Sequence, residues 1–426
     1  MSLSPVPGTS AIPSTPASID VFSAADRVHS PAAARAAISS LRASKIREVA
    51  NAGLGLPDVL PFWFGESNQV TPAFIRDAAS AALAEGKVFY THNLGIPPLR
   101  EALAAYVSRL HGPTDAAQIA VTSAGVNALM LATQLLVGPG DRVVAVTPLW
   151  PNLVEMPKIV GATVDTVSLD YGDNGWELDI DALLRALTPG TRMVLVNSPN
   201  NPTGWTMPRE QQARLLEHCR VHGIWILADE VYERLYYGAA RDSSTSVDAD
   251  ALPLTAPSFL DLASRDERVI VVNSFSKSWL MTGWRLGWVV APESVMEDWG
   301  KLAEYNTSCA PDFVQRAGLV AVTQGGDVTR ALRADLLVRR QRLFDGLSAL
   351  PGVDVKMSDG AMYLFFRIAG YDDSLALCKA LVRDAGLGLA PGAAFGDEGE
   401  GYIRWCYASD VEMIDEGVRR LAAYLR

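Results

Sequence analysis

The 426-residue chain is long enough for two domains, and its composition, 49% hydrophobic and 20% charged, is that of a globular protein with a large core. A formal charge of -11 argues against nucleic acid or an anionic membrane as the main partner, although local amides and a few arginines can still hold an anion. The four cysteines, Cys219, Cys309, Cys378 and Cys406, lie far apart with no metal-ligand spacing, and no apolar run is long enough to cross a bilayer, so a reduced, cytoplasmic compartment is the simplest reading.

Residues 1–30 are rich in Ser, Pro and Ala without a long apolar stretch, which predicts a disordered arm and a poor signal peptide. Residues 31–52 carry the spacing of one helix through Ile38, Leu41, Ile46 and Val49. A strand over 59–64 then runs into Gly65-Glu66-Ser67-Asn68, and the stretch 31–64 is expected to join the C-terminal part of the chain. A helix over 72–85, a loop holding Tyr90 and His92, and a helix over 99–110 come next. Between 118 and 300, seven short apolar runs alternate with helical segments, the pattern of a mostly parallel α/β sheet with crossover helices. Beyond 307 the pattern shifts to helices at 313–323, 327–350 and 374–385 with strands at 362–366 and 402–405, which predicts a large domain over 65–306 and a smaller α/β domain over 307–426.

The residues at the C-terminal end of each apolar run carry the chemistry. The run at 119–121 opens through Ala124-Gly125-Val126 into a helix, a turn that exposes amides to an anion or is simply a tight connection. Trp150 stands at a strand end, where it can fill the core or cover a flat ring. The run at 193–196 ends in Asn197-Ser198-Pro199-Asn200-Asn201-Pro202-Thr203-Gly204, a rigid turn that could hold an asparagine amide as a donor. Asp229 ends the next run, with Tyr232 just beyond it, and a carboxylate there needs a cationic partner or a role as a helix N-cap. The run at 269–272 ends in Ser274-Phe275-Ser276-Lys277, with Arg285 eight positions on. That combination offers an amine for an imine, together with hydroxyls and a forked cation for a phosphate, at the sheet edge where open α/β folds bind ligands. Arg404, in the last strand, is either an exposed arginine or one that faces a cleft and suits a carboxylate.

In order and spacing, Asn-Asn-Pro-Thr-Gly, Asp-Glu-Val-Tyr, Ser-Phe-Ser-Lys with Gly-Trp-Arg-Leu-Gly, and Arg404 resemble the class I/II aminotransferases, the aspartate aminotransferase-like group of fold-type I enzymes, from about Ile46 to the C-terminus. The resemblance implies pyridoxal 5′-phosphate as cofactor and transfer of an amino group from an amino acid to a 2-oxo acid in two half-reactions. It implies that Lys277 forms the internal aldimine and shuttles the proton, that Asp229 meets the pyridine nitrogen, and that Tyr232 and Asn201 bond the ring oxygen while Trp150 stacks on the ring. It implies a phosphate held by Ala124, Gly125, Val126, Ser274, Ser276 and Arg285, with Tyr90 reaching in from the second subunit of a homodimer. Arg404 would clamp the substrate carboxylate, with Gly65 closing over it. The segment Gly65-Glu66-Ser67-Asn68 departs from relatives, which usually carry proline after the glutamate. No second arginine for a dicarboxylate can be placed, and Trp63, Phe64 and Trp150 lean the reading towards neutral or aromatic amino acids. A lyase on the same scaffold, either a β-carbon–sulfur lyase or an aminocyclopropane carboxylate synthase, is the alternative.

Overall fold

Apolar runs buried on both faces make the central layer. The computed structural model describes residues 34–238 and 255–426; the arm expected over 1–30 lies outside them. All seven runs form strands of one sheet: β1 (Ile119–Thr122), β2 (Arg142–Thr147), β3 (Thr163–Ser168), β4 (Thr191–Asn197), β5 (Trp225–Asp229), β6 (Val269–Ser274) and β7 (Gly287–Val290). Their order is β1-β7-β6-β5-β4-β2-β3. The pairings among β6, β5, β4, β2 and β3 are parallel, whereas β7 runs antiparallel to both β1 and β6. Helices cover both faces, so β1, β5, β6 and β7 are buried at every residue, whereas edge strand β3 exposes most of its length. This topology brings the C-terminal ends of β1, β4, β5 and β6 to one edge. Gly287 starts β7 at that edge, where a Cβ would lie 2.5 Å from Gly125 N, so only glycine lets β7 pass under the next helix.

A second, four-stranded sheet is antiparallel, in the order Val353–Asp354, Tyr363–Ile368, Tyr402–Cys406, Ala390–Pro391. The early strand, shortened to Leu60–Pro61, pairs in parallel with Leu387–Gly388, and Phe62 packs on Trp405 at 4.9 Å between ring centroids. The single helix expected over 31–52 is instead two, Ala36–Ser39 and Lys45–Ala52. Ser44 explains the break: its hydroxyl accepts from Arg47 N–H at 3.3 Å and caps the second helix, while the alanine-rich context masks this stop in the sequence. Helix Asp312–Gln324 buries Val314, Ala317 and Ala321 against Ile75, Leu99 and Leu103 of helices Ala73–Ala84 and Pro97–Leu110.

Candidate active site

Ser274, the last residue of β6, turns the chain by capping the short helix Phe275–Ser278 and accepting from Ser276 N–H at 3.1 Å. The third residue of that helix, Lys277, therefore stands at the sheet edge. Its Nζ donates to the Gly65 carbonyl and lies 5.7 Å from the centre of the Tyr232 ring. Burial lowers the ammonium pKa to about 8; Arg404 pushes it the same way, and Cys406 and Glu66 oppose. An amine so placed is a usable nucleophile and base near neutrality.

Asp229 ends β5 almost fully buried. The sequence offered a cationic partner or a helix cap, and the structure shows neither. Among the described residues it forms no ion pair, no helix starts there, and its carboxylate accepts a long bond of 3.4 Å from Val231 N–H. Burial pushes its pKa up to about 7, with the Val231 bond and Lys277 opposing. A buried acid without an ion-pair contact is costly, and a protonated ring nitrogen placed against it would restore its charge.

In the turn after β4 the three asparagines divide the work. Asn197 Oδ1 accepts from Asn201 N–H at 2.7 Å, and Asn200 Oδ1 accepts from Thr203 N–H at 3.0 Å and Thr203 Oγ1 at 2.8 Å. These bonds fix the backbone, so Asn201 can present its side chain to the cavity. There its Oδ1 accepts from Arg404 at 2.8 Å, which leaves its amide NH2 as a donor. Arg404 is 2% exposed, donates also to the Trp63 carbonyl, and lies 4.4 Å and 4.9 Å from the centres of the Tyr363 and Phe395 rings. It faces the cleft. Among the described residues this guanidinium has no acidic partner, and its Nε is without a hydrogen bond, so a carboxylate is the ligand its charge calls for.

At the end of β1, Ala124 precedes helix Gly125–Leu136 with φ 118, a conformation costing a non-glycine residue on the order of 1–3 kcal/mol. It aims the first amides of a twelve-residue helix at the cavity. Ser274 Oγ and Ser276 Oγ lie 2.9 Å apart beside them, and Arg285 is exposed and donates to Thr282 O at 2.7 Å. Amides, hydroxyls and a guanidinium thus converge at one end of the cavity, a donor set whose chemistry suits a phosphate. Trp150 stands at the cavity wall as the residue before helix Pro151–Ile159.

One cavity of about 350 Å³ is lined by Gly65, Gly125, Val126, Trp150, Asn201, Asp229, Tyr232, Ser274, Ser276, Lys277, Arg285 and Arg404. Ala124 shapes it from behind, whereas Tyr90 is 90% exposed and outside it. Sequence reasoning missed Tyr363, whose hydroxyl lies 2.6 Å from that of Tyr232. Within the run Tyr363-Leu364-Phe365-Phe366 it reads as core filler. It also explains Gly65, because a Cβ there would sit 2.0 Å from Tyr363 Oη. Ile46, Phe64, Leu129, Asn152, Asn197 and Val231 also line the cavity, and of these Leu129 and Asn152 carry no signal of their own in the sequence.

The family model for aminotransferase class I and II matches residues 62–421. This chain belongs to that family. It is 33% identical over 385 residues to an aspartate aminotransferase of Pyrococcus horikoshii, covering 89% of this chain and 94% of that one. It is 31% identical over 385 residues to a probable N-acetyl-LL-diaminopimelate aminotransferase of Bacillus subtilis, covering 90% and 93%. Among solved structures it is similar to a single mutant of Thermus thermophilus aspartate aminotransferase, with a TM-score of 0.83, 29% identity and coverage of 92% and 99%. An aromatic aminotransferase of Pyrococcus horikoshii matches with a TM-score of 0.78, 29% identity and coverage of 88% and 98%. The protein is a pyridoxal-phosphate-dependent aminotransferase of fold type I, and the comparisons favour amino-group transfer over a lyase reaction. The residues present fit that cofactor: an unpaired buried acid, an amine depressed towards neutrality, and a donor set suited to a phosphate share one cavity in this aminotransferase.

For this aminotransferase, Arg404→Lys is expected to raise KM for the amino donor about 10- to 100-fold. Lysine keeps the charge but loses the forked geometry, worth on the order of 1.5–3 kcal/mol. Steady-state kinetics with varied donor checks it, and an unchanged KM would remove Arg404 from the substrate's carboxylate.

Proposed function

We propose that the enzyme moves an amino group from a neutral or aromatic L-amino acid to a 2-oxo acid, with each cavity residue in a defined role. Pyridoxal phosphate, when bound, supplies the electron sink that lets the substrate Cα carry negative charge. Lys277 would hold the cofactor through Nζ, and the same amine would take the proton from the substrate Cα and give it back. Asp229 would hold the ring nitrogen protonated, Tyr232 and the Asn201 amide would donate to the ring oxygen, and Trp150 would cover the ring. The amides of Gly125 and Val126, behind the Ala124 turn, would hold the phosphate with Ser274, Ser276 and Arg285. Arg404 and the backbone at Gly65 hold the substrate carboxylate. The observation that carries this reading is Arg404, a buried guanidinium without an acid among the described residues, in one cavity with Lys277 and Asp229. The side-chain preference is supported by Ile46, Phe64, Leu129 and Trp150 in the wall, where, among the described residues, Lys277, Arg285 and Arg404 are this chain's only cations.

A homodimer is supported by the adjacent exposed side chains Val88, Phe89 and Tyr90, the last 90% exposed and outside its own chain's cavity. Among the described residues no helix is long and apolar enough to cross a membrane, and all four cysteines are unpaired, which supports a cytoplasmic setting. The division into a cofactor-binding part and a smaller part is supported at the N-terminus by the pairing of Leu60–Pro61 with Leu387–Gly388. The packing of Asp312–Gln324 against Ala73–Ala84 supports a second boundary nearer Gly325 than 307.

The test is a panel of amino donors against several 2-oxo acids. Phenylalanine, tyrosine or leucine turning over faster than aspartate supports the preference, and aspartate leading the panel sinks it. In parallel, sedimentation is expected to give a dimer, and Tyr90→Phe to weaken pyridoxal phosphate binding about 10-fold, the worth of one hydrogen bond to a charged group.

A further inference from the structure

The segment at the end of β5 has two sides. In Asp229-Glu230-Val231-Tyr232-Glu233, Asp229, Val231 and Tyr232 line the cavity, while Glu230 and Glu233 are buried away from it. Two buried carboxyl groups in so short a stretch need either to keep their protons or to meet a cation. His111 meets them from far away in sequence, as the C-cap residue of helix Pro97–Leu110, where the helix dipole favours positive charge. Its side chain is 1% exposed, with Nδ1 2.8 Å from Asp261 Oδ1 and Nε2 3.3 Å from Glu233 Oε2. Only an imidazolium donates from both nitrogens. Burial pushes its pKa down, but the bonds to Asp261 and Glu233 outweigh this and hold it up at about 10. Glu233 Oε1 also accepts from Tyr106 at 3.1 Å, Arg234 donates to the Tyr106 hydroxyl at 3.0 Å, and Arg209 approaches Asp261 at 3.5 Å. Glu230 accepts from Phe259 N–H at 3.2 Å; its pKa is pushed up to about 8 by burial and opposed by His111.

The turn itself is tight, with Glu233 N–H on Glu230 O at 2.9 Å and Leu235 N–H on Tyr232 O at 2.8 Å. Displacing Glu233 therefore displaces Tyr232 and, through Glu230, Asp229. We propose that His111 is a positioning residue for the cofactor-facing pair Asp229 and Tyr232: it clamps the turn between them to Asp261 and supplies the positive charge behind it. The proposal rests on the reading that Asp229 and Tyr232 face the cofactor ring. Removing that charge leaves the acids behind Asp229 uncompensated, which makes every proton on the cofactor side harder to lose.

The test uses purified holoenzyme and the pH midpoint of the bound cofactor's visible absorption, with cofactor affinity by titration and a circular-dichroism melt as companions. His111→Gln, which keeps one donor and loses the charge, is expected to move the midpoint up by roughly half a pH unit and to weaken cofactor binding about tenfold. Glu233→Gln, near in shape, is expected to move the midpoint down. Opposite shifts are the signature, because a merely structural role changes the melt of both variants and the midpoint of neither. His222→Gln, outside the network, is expected to change nothing. A folded His111→Gln with the wild-type midpoint and affinity overturns the proposal. If that variant fails to fold, Glu233→Gln decides, and a midpoint that stays or rises overturns it. Asp229→Asn keeps the two levels apart: if it leaves cofactor affinity and absorption unchanged, the reading of Asp229 itself fails, whereas silent His111 and Glu233 variants beside a disabled Asp229→Asn sink the clamp alone.

Discussion

Lys277→Ala is expected to lower kcat by at least about 10³-fold, because it removes both the nucleophile and the proton carrier, each worth orders of magnitude in rate. Lys277→Arg is expected to be no better, since a guanidinium keeps the charge but cannot give up its proton at any working pH. That pair of variants separates the amine's chemistry from its charge. Both are expected to keep binding pyridoxal phosphate non-covalently, because the first amides of helix Gly125–Leu136 and Asp229 stand on other elements. The wild-type amine makes a signed prediction as well. Burial holds it at about 8 in the ligand-free protein, so the rate of cofactor capture rises as pH approaches 8 and levels off above it. Stopped-flow absorbance measures both. Turnover surviving in Lys277→Ala would remove this residue from the reaction.

The sheet was legible because most of its strands are buried on both faces and so read as continuous apolar runs, of which β1, β5 and β6 end abruptly at a polar residue. The same abruptness exposed Asp229, Lys277 and the asparagine turn, since in this topology the strand ends are the site. Edge strand β3 was found through Val164 and Val167 alone, with the polar residues around them facing out. Elsewhere the signal ran out for physical reasons. The Ser44 cap was hidden by alanines that favour helix on both sides. Tyr363 was invisible because an aromatic residue in a buried strand is ordinary, and only its 2.6 Å approach to Tyr232 gives it a task. His111 carried no local signal at all: its acids are 122 and 150 positions away, and only the packing of helix Pro97–Leu110 against the sheet edge brings them together. Arg404 was ambiguous between surface and cleft until strand pairing set it opposite Phe365, with the cleft beyond.

Asp229→Asn is expected to cost about as much as losing the lysine, for a different reason. A carboxylate about 4 Å from a cation at an effective dielectric near 20 stabilises it by about 4 kcal/mol, which is roughly 10³-fold in rate if the ring must be protonated when Cα loses its proton. The amide keeps the shape and loses that term, so kcat falls while the melt of the holoenzyme drops only modestly. The cofactor-free protein is expected to behave in the opposite sense. There the acid's pKa is raised from 3.8 to about 7 by burial. An acid raised in the folded state favours the fold below its unfolded pKa, and that contribution is lost as pH rises towards 7. Cofactor-free Asp229→Asn, which has no proton to lose, should therefore melt above the cofactor-free wild type at pH 8, with the gap closing as pH falls to about 4. Thermal melts of both forms across that range, alongside kcat, measure the stability that the site gives up to keep an unpaired acid ready for its ligand. A cofactor-free variant no more stable than wild type at pH 8, or a holoenzyme variant with undiminished kcat, would show that Asp229 does not act as the ring's counter-charge.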